Sequence, residues 1–357
     1  VGGNKGLMKE NQLTWYSPKE YPFQINGFAW FKQENMYRRL PKQLVPGFPS
    51  RVNELANNTS GGQIRFKTNA VKLSIKAELS EPATMGHMTA VGQCGFDLYI
   101  GEPGKQQYFS SAIPPIQETS YESILWDFTG EPNQLREVTI NFPLYQGVSK
   151  VLIGVDPDAS IELPTPYDSK KRVLFYGTSI TQGGCASRPG MSYTNILSRR
   201  FHLEHINLGF SGSGKGEKDV VLTIREIENP ACFVIDYEAN VTPEEYDATL
   251  VPFIQLFREY HPFVPIIVIS RIYHAQNIIP KLNNDFMKRR NHSESTVEEL
   301  KRNGDDRIMF VDGSTLLGER WHECTVDGSH PNDLGFMNMA NGLEIPLRSS
   351  LKMAGVL

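Results

Sequence analysis

Hydrophobic and polar positions follow two different rhythms along this chain, and the change comes near residue 165. Before it, Gln63-Ile64-Arg65-Phe66-Lys67 and Val71-Lys72-Leu73-Ser74-Ile75 alternate residue by residue. Phe96-Asp97-Leu98-Tyr99-Ile100, Val138-Thr139-Ile140-Asn141-Phe142 and Val151-Leu152-Ile153-Gly154-Val155 continue that series. Period-two alternation puts one set of side chains on a buried face and the other in solvent, so these segments predict short strands. Gly61-Gly62, Gly101-Glu102-Pro103-Gly104 and Gly130-Glu131-Pro132-Asn133 supply the turns between them. Strands at this spacing, with no long amphipathic helix among them, predict an N-terminal β-sandwich over residues 1–166, jelly-roll-like in character.

Pro157, Pro164 and Pro166 then suggest a stiff linker. Beyond it, continuous apolar runs at 173–176, 205–208, 232–236, 265–270 and 308–312 read as buried strands. Helical patterns fill the gaps, at 191–201, 217–228, 243–260, about 281–302 and 333–351. The third of these opens with Thr242-Pro243-Glu244-Glu245, a capping box with proline at the first helical position. Strands alternating with helices predict a parallel sheet covered on both faces, so residues 167–357 are expected to form an α/β domain.

Composition narrows the classes. A chain of 357 residues exceeds one ordinary core. A net charge of -4 without long basic runs gives no electrostatic reason to expect nucleic acid or a membrane surface as partner. No apolar run approaches the roughly 20 residues that cross a bilayer. Cys94, Cys185, Cys232 and Cys324 are scattered and form no CxxC pair, so they are expected in the core as free thiols. The chain opens Val1-Gly2-Gly3 instead of Met, so the expectation is that the native start has been removed, and the missing leader carries no weight.

Three short segments carry chemistry. Gly177-Thr178-Ser179-Ile180-Thr181 follows the first α/β strand, at the carboxyl edge where open α/β sheets bind ligands. Ser179 there is a candidate nucleophile, or merely a helix cap. Asp327-Gly328-Ser329-His330-Pro331 places an acid and an imidazole on one turn. His330 is the candidate base and Asp327 the group that orients it, against the alternative that both are turn formers. Asn240 ends the third strand's loop and can offer an amide N–H to an oxyanion, with the backbone N–H groups of Ser179 and Gly212.

The order of these blocks, with Asn207-Leu208-Gly209-Phe210-Ser211-Gly212 between the first and the third, resembles the SGNH (GDSL-type) hydrolase superfamily. The resemblance implies a flavodoxin-like three-layer α/β/α domain, a metal-free serine esterase mechanism with no cofactor, and Gly212 as the oxyanion glycine. Gly95-Phe96-Asp97-Leu98-Tyr99 is similar to the GxDLY motif of a β-domain that precedes some bacterial members. Two departures stand out. Thr178 occupies the usual Asp position, and Glu238-Ala239-Asn240-Val241 replaces the usual Gly-x-Asn-Asp. The implied substrate is a short-chain, acetyl-type ester of a small molecule or carbohydrate, with a periplasmic or secreted setting.

Rival readings remain at this level. Gly209-Phe210-Ser211-Gly212-Ser213-Gly214-Lys215 has P-loop spacing, but Gly216 stands where a magnesium-binding hydroxyl belongs. His322, Glu323, Cys324, Asp327 and His330 offer a metal-dependent alternative. Trp15, Tyr16, Trp30, Phe31 and Tyr37 are either core or the platforms of a non-catalytic sugar-binding protein. Arg38, Arg39 and Arg51 are candidates for steering substrate, unless they are solvated surface residues.

Overall fold

Alternation in the first half sorts its side chains onto the inner faces of two antiparallel sheets. The computed structural model describes residues 13–357, so the Val1-Gly2-Gly3 start lies outside the described residues. Its strands are β1 (Thr14–Tyr16), β2 (Gln24–Asn26), β3 (Gln63–Thr68), β4 (Lys72–Leu79), β5 (Phe96–Ile100), β6 (Gln107–Ala112), β7 (Ser120–Asp127), β8 (Arg136–Asn141), β9 (Val148–Val155) and β10 (Ile161–Glu162). One sheet runs β1-β9-β4-β7. The other runs β10-β3-β8-β5-β6, with β2 also on β3. Ile64, Phe66, Phe96, Leu98 and Ile140 of one sheet meet Leu73, Ile75, Val151 and Ile153 of the other in a shared core. Burying apolar area at roughly 25 cal/mol per Å² is what holds the layers together.

The proline-rich stretch is docked along the sandwich and is no free linker. Ile161 and Glu162 pair with Thr68 and Lys67. Thr165 then donates to Glu137 through its N–H at 2.7 Å and its hydroxyl at 2.8 Å. The prolines set the extended backbone, and these hydrogen bonds hold it down.

The second half is built on five parallel strands: β11 (Arg172–Gly177), β12 (His205–Gly209), β13 (Pro230–Asp236), β14 (Ile266–Ile269) and β15 (Ile308–Val311). They lie in the order β12-β11-β13-β14-β15. Because both faces are covered, the strands read as continuous apolar runs. Val173, Phe175, Val234 and Ile267 pack under helices 193–201 and 333–353. Leu174, Tyr176, Phe233 and Val268 pack under helices 218–224 and 243–258. The capping box is present: the Glu245 N–H donates to Thr242 Oγ1 at 3.2 Å and the Thr242 N–H to Glu245 Oε2 at 2.9 Å.

The halves are interlocked. Leu40, Val52 and Leu55 of the first half belong to one α/β core, and Met88 and Leu144 to the other. Arg39 is fully buried, and it is neither solvated nor free to steer substrate. Its guanidinium donates to Asn58 O at 2.9 Å, Leu55 O at 2.7 Å and Gly209 O, and lies over the Phe210 ring. Arg38 is also buried, donating to Asn53 O at 3.1 Å, whereas Arg51 is exposed and pairs with Glu54. Tyr37 and Phe31 stack on one another, with Tyr37 buried in the sandwich core, so these two aromatics are packing residues and form no platform.

Arg39→Met would take the side-chain donor from Asn58 O and Gly209 O and leave Leu55 O with the Asn58 N–H alone, at about 1–3 kcal/mol for each carbonyl left short. Urea unfolding should show a loss of about 3 kcal/mol or more. A loss under about 1 kcal/mol would mean that Arg39 does not tie the halves together.

Candidate active site

Ser179, His330 and Asp327 meet at the carboxyl edge of the parallel sheet. Ser179 opens the short helix 179–182 directly after β11, with Thr178 as its N-cap and Gly183, at φ +112°, ending it. Ser179 Oγ lies 2.8 Å from His330 Nε2, and His330 Nδ1 lies 2.7 Å from Asp327 Oδ2. The carboxylate can only accept at Nδ1, so that nitrogen carries the proton and Nε2 is left to accept from the serine hydroxyl.

The Asp–His turn organises itself. Gly328 sits at φ +85°, a conformation that side-chain-bearing residues rarely adopt. Asp327 Oδ1 accepts the N–H groups of Ser329 at 3.0 Å and His330 at 2.8 Å. Against the opposing cost of burial, these donors and the His330 ring hold the Asp327 carboxyl down at about 2. It is therefore ionised throughout the physiological range. Cys185 N–H donates to Pro331 O at 3.1 Å, tying the turn to the loop after Ser179.

Gly212, at φ +66°, lies in the loop after β12. Among the described residues, neither its N–H nor that of Ser179 meets an acceptor. The Asn240 amide is differently placed: Nδ2 donates to Phe210 O at 3.3 Å and Gly214 O at 3.0 Å, bracing that same loop. Residues 209–215 thus serve the Ser179 edge, which leaves no phosphate cradle to the P-loop reading.

Several residues that local sequence patterns did not single out support the site. Gln182 is fully buried. It donates to Asn58 Oδ1 at 3.0 Å and Leu144 O at 3.1 Å, and accepts the Ser211 N–H at 3.0 Å, so it links the first half to the Gly212 loop. Tyr145 donates to Ser179 O at 3.1 Å. His87, from a loop of the first half, places Nε2 at 3.9 Å from Asp327 Oδ2. Only their long-range neighbours distinguish these residues from ordinary loop positions.

The metal alternative loses its ligand set. His322 and Glu323 have exposed side chains, while Cys324 is buried with Sγ at 3.5 Å from Leu317 O and 3.4 Å from Arg320 O. Among the described residues, the grouping of potential ligands that includes His330 joins it to His87 and Cys185, not to His322, Glu323 or Cys324. All four cysteines are free and buried.

A serine, a histidine and an ionised aspartate in contact on the carboxyl edge of an order 2-1-3-4-5 parallel sheet are an arrangement able to serve serine-type hydrolysis. Comparison with known proteins agrees. Residues 170–348 match the GDSL-like lipase/acylhydrolase family, and residues 13–161 match the N-terminal domain of SGNH-hydrolase-type esterases. A putative GDSL-like lipase from Bacteroides ovatus is 32% identical over 95% of this chain and 98% of its own, with a TM-score of 0.87. The chain belongs to the GDSL-like lipase/acylhydrolase family, and is a carboxylic ester hydrolase.

Two more distant structures share the fold. A salicylyl-acyltransferase from a tetracycline biosynthetic pathway is 20% identical, over 94% of this chain and 97% of its own, at a TM-score of 0.75. A family two carbohydrate esterase from Cellvibrio japonicus is 14% identical, over 96% and 98%, at 0.55. No curated protein matches the chain. No described helix is long and apolar enough to cross a membrane.

Burial beneath the site has a consequence for stability. Asp236, at the end of β13, accepts from Thr181 Oγ1 and Tyr193 OH, both at 3.1 Å, and burial raises its carboxyl to about 7. Burial likewise raises Glu238 to about 7. Both groups are therefore still protonated in the folded state at pH values where the unfolded chain has lost those protons. Taken alone, these two acids make stability fall as pH rises from about 4 to about 7, whereas His205 and His274, pushed down to about 3 by burial, make it rise over the lower part of that range. The contribution of Asp236 is therefore read from a variant: Asp236→Asn should raise the urea midpoint at pH 8 relative to that at pH 5, compared with the wild type. An unchanged difference between the two midpoints would remove Asp236 from the explanation.

Proposed function

We propose that this enzyme hydrolyses short-chain acyl esters, acetyl esters foremost, on carbohydrate or other small polar alcohols, through a Ser179–His330–Asp327 triad. The observation that carries the reading is the continuous contact from Ser179 Oγ to His330 Nε2 at 2.8 Å and from His330 Nδ1 to Asp327 at 2.7 Å.

In this reading Ser179 Oγ attacks the ester carbonyl carbon while His330 Nε2 takes the hydroxyl proton. Asp327 stays ionised, fixes the tautomer and stabilises the imidazolium. The developing oxyanion is met by the free N–H groups of Ser179 and Gly212. Asn240 adds a third donor by giving up its longer bond, to Phe210 O. His330 then returns the proton to the leaving alcohol. Water, activated by the same imidazole, attacks the acyl-serine, releasing the acid and restoring Ser179.

A polar cavity beside Asn240, with Lys215, Gln276 and Asn277 among its lining, suits a hydroxylated alcohol better than a long acyl chain. A carbohydrate esterase of this fold is consistent with that choice. A polysaccharide substrate would place the enzyme in the periplasm or outside the cell. The same proposal divides the chain at 166/167, between the last sandwich strand and the first parallel strand.

With 4-nitrophenyl acetate, Ser179→Ala should keep the fold by circular dichroism and lose at least about 10³-fold in turnover. Wild-type activity should survive EDTA. Turnover retained by the variant would sink the nucleophile assignment, and loss to EDTA alone would point to a metal. Asn240→Ala should lower kcat by about 10²-fold with little change in KM. A change in KM only would leave Asn240 as a brace of the Gly212 loop.

A further inference from the structure

We propose that the cavity beside Asn240 receives a carboxylate carried by the ester substrate, a reading that rests on the esterase function above. The cavity has a volume of about 550 Å³ and is bounded by the Asn240–Glu245 turn and by residues 271–289. It adjoins the chemistry on two sides. Asn240 braces the Gly212 loop, and Ala275 N–H donates to Gly328 O at 2.7 Å, inside the Asp–His turn.

Its floor offers donors that the protein leaves open. Arg271 is only 8% exposed and is fixed over the Phe286 ring. Its guanidinium makes a single long bond, Nη2 to Asn277 Oδ1 at 3.3 Å, and its buried Nε has no partner. Burial and the neighbouring Arg289 charge lower it to about 10, so it remains a cation at neutral pH. The His274 imidazole beside it has a buried Nε2 that meets no partner among the described residues. Burial, then the Arg271 charge, pushes His274 down to about 3, so it is neutral.

Three acids lie near these groups, and among the described residues none of them bonds the Arg271 guanidinium. Glu245 is committed to the Thr242 N–H at 2.9 Å. Asp285 lies 3.5 Å from Lys288 Nζ. Glu238, fully buried behind the floor, accepts the Arg271 N–H at 3.1 Å and lies 3.6 Å from Arg289 Nε. With its carboxyl at about 7, only part of its charge is present at neutrality. Lys215, on the rim, forms no ion pair among the described residues. Two guanidinium groups and an ammonium thus share the cavity with the Glu245 and Asp285 carboxylates and the partly charged Glu238, and it is the open N–H groups of Arg271, more than an excess of positive charge, that favour an anion. A buried guanidinium with open N–H groups is costly, and a carboxylate satisfies it with two charge-assisted bonds where a neutral hydroxyl makes one.

The carboxylate has two possible sources, a uronic acid on the alcohol side or a dicarboxylic acyl group. The test compares kcat/KM in matched pairs. One pair is O-acetylated methyl galacturonide and O-acetylated methyl galactoside, and the other is 4-nitrophenyl hemisuccinate and 4-nitrophenyl butyrate. At least one acidic member should exceed its neutral partner by about 10-fold, and the pair that responds identifies the side. Arg271→Gln should bring that ratio towards one. Lys215→Gln, an exposed position, should lower it too and serves if the buried variant fails to fold.

Ratios near or below one in both pairs, or ratios unchanged in both variants, would overturn the proposal. Should the wild type hydrolyse none of these esters, nor 4-nitrophenyl acetate, the esterase reading fails separately. Calorimetry with sodium galacturonate and sodium succinate then decides the cavity. Binding lost in Arg271→Gln supports the carboxylate site, and no binding overturns it.

Discussion

Four backbone segments converge at the carboxyl edge of the parallel sheet more closely than side chains would allow. Gly177 pairs with Gly209 on one side and Asp236 on the other. A Cβ on Gly177 would stand 2.3 Å from Asp236 O, one on Gly209 2.2 Å from Gln182 N, and one on Gly214 2.3 Å from Gly177 O. None of these glycines needs a positive φ, so the requirement is space and not backbone freedom. That close approach sets the Ser179 helix directly against the loop carrying Gly212. The distance from Ser179, the proposed nucleophile, to the two open N–H groups is thus set by main-chain packing.

The first half supplies the next layer of restraint. Arg39 and Gln182 are both fully buried, and each reaches a different part of the same loop: Arg39 the Gly209 carbonyl, Gln182 the Ser211 N–H. Ser60 donates to Gln182 O at 2.6 Å, so the short helix is held from its C-terminal end as well. Loops at the carboxyl ends of strands are ordinarily the mobile parts of an α/β fold. Here buried donors from the sandwich take up their carbonyls, and the sandwich acts as a structural wall of the active site. His87, 3.9 Å from Asp327, shows that the wall reaches the Asp–His turn itself.

What the sequence made legible follows from range. The five parallel strands and their helices were readable because burial on both faces writes an apolar run at every strand, and the Thr242 capping box is a local code. Ser179, His330 and Asp327 were readable because each sits in a short block whose order carries the family pattern. β1, β2 and β10, two or three residues each, are too short to show a period. β6 and β7 are mostly exposed on one or both faces, so Gln107-Tyr108-Phe109 does not read as a buried strand. Arg39 was beyond reach because nothing in its neighbours announces that a charged residue will be buried. Its acceptors are carbonyls at positions 55, 58 and 209, which carry no sequence signal. The identity of Asn240's partners was hidden for the same reason.

Three acids lie close to this edge, and their surroundings drive them apart. Asp327 collects two backbone N–H groups and an imidazole, and it is held near 2. Asp236 receives two hydroxyls, a weaker compensation for its burial, and rises to about 7. Glu238 has one backbone N–H at 3.1 Å and an arginine at 3.6 Å, and burial dominates there too. The number and kind of donors, more than depth alone, decides which acid is ionised. The proposed triad needs one permanently charged carboxylate beside the histidine, and the tight Asp327-Gly328-Ser329-His330 turn keeps Asp327 charged by turning its own N–H groups inward. The other two are each about half ionised near pH 7, so one edge of one sheet carries a fully charged acid and two that titrate near neutrality.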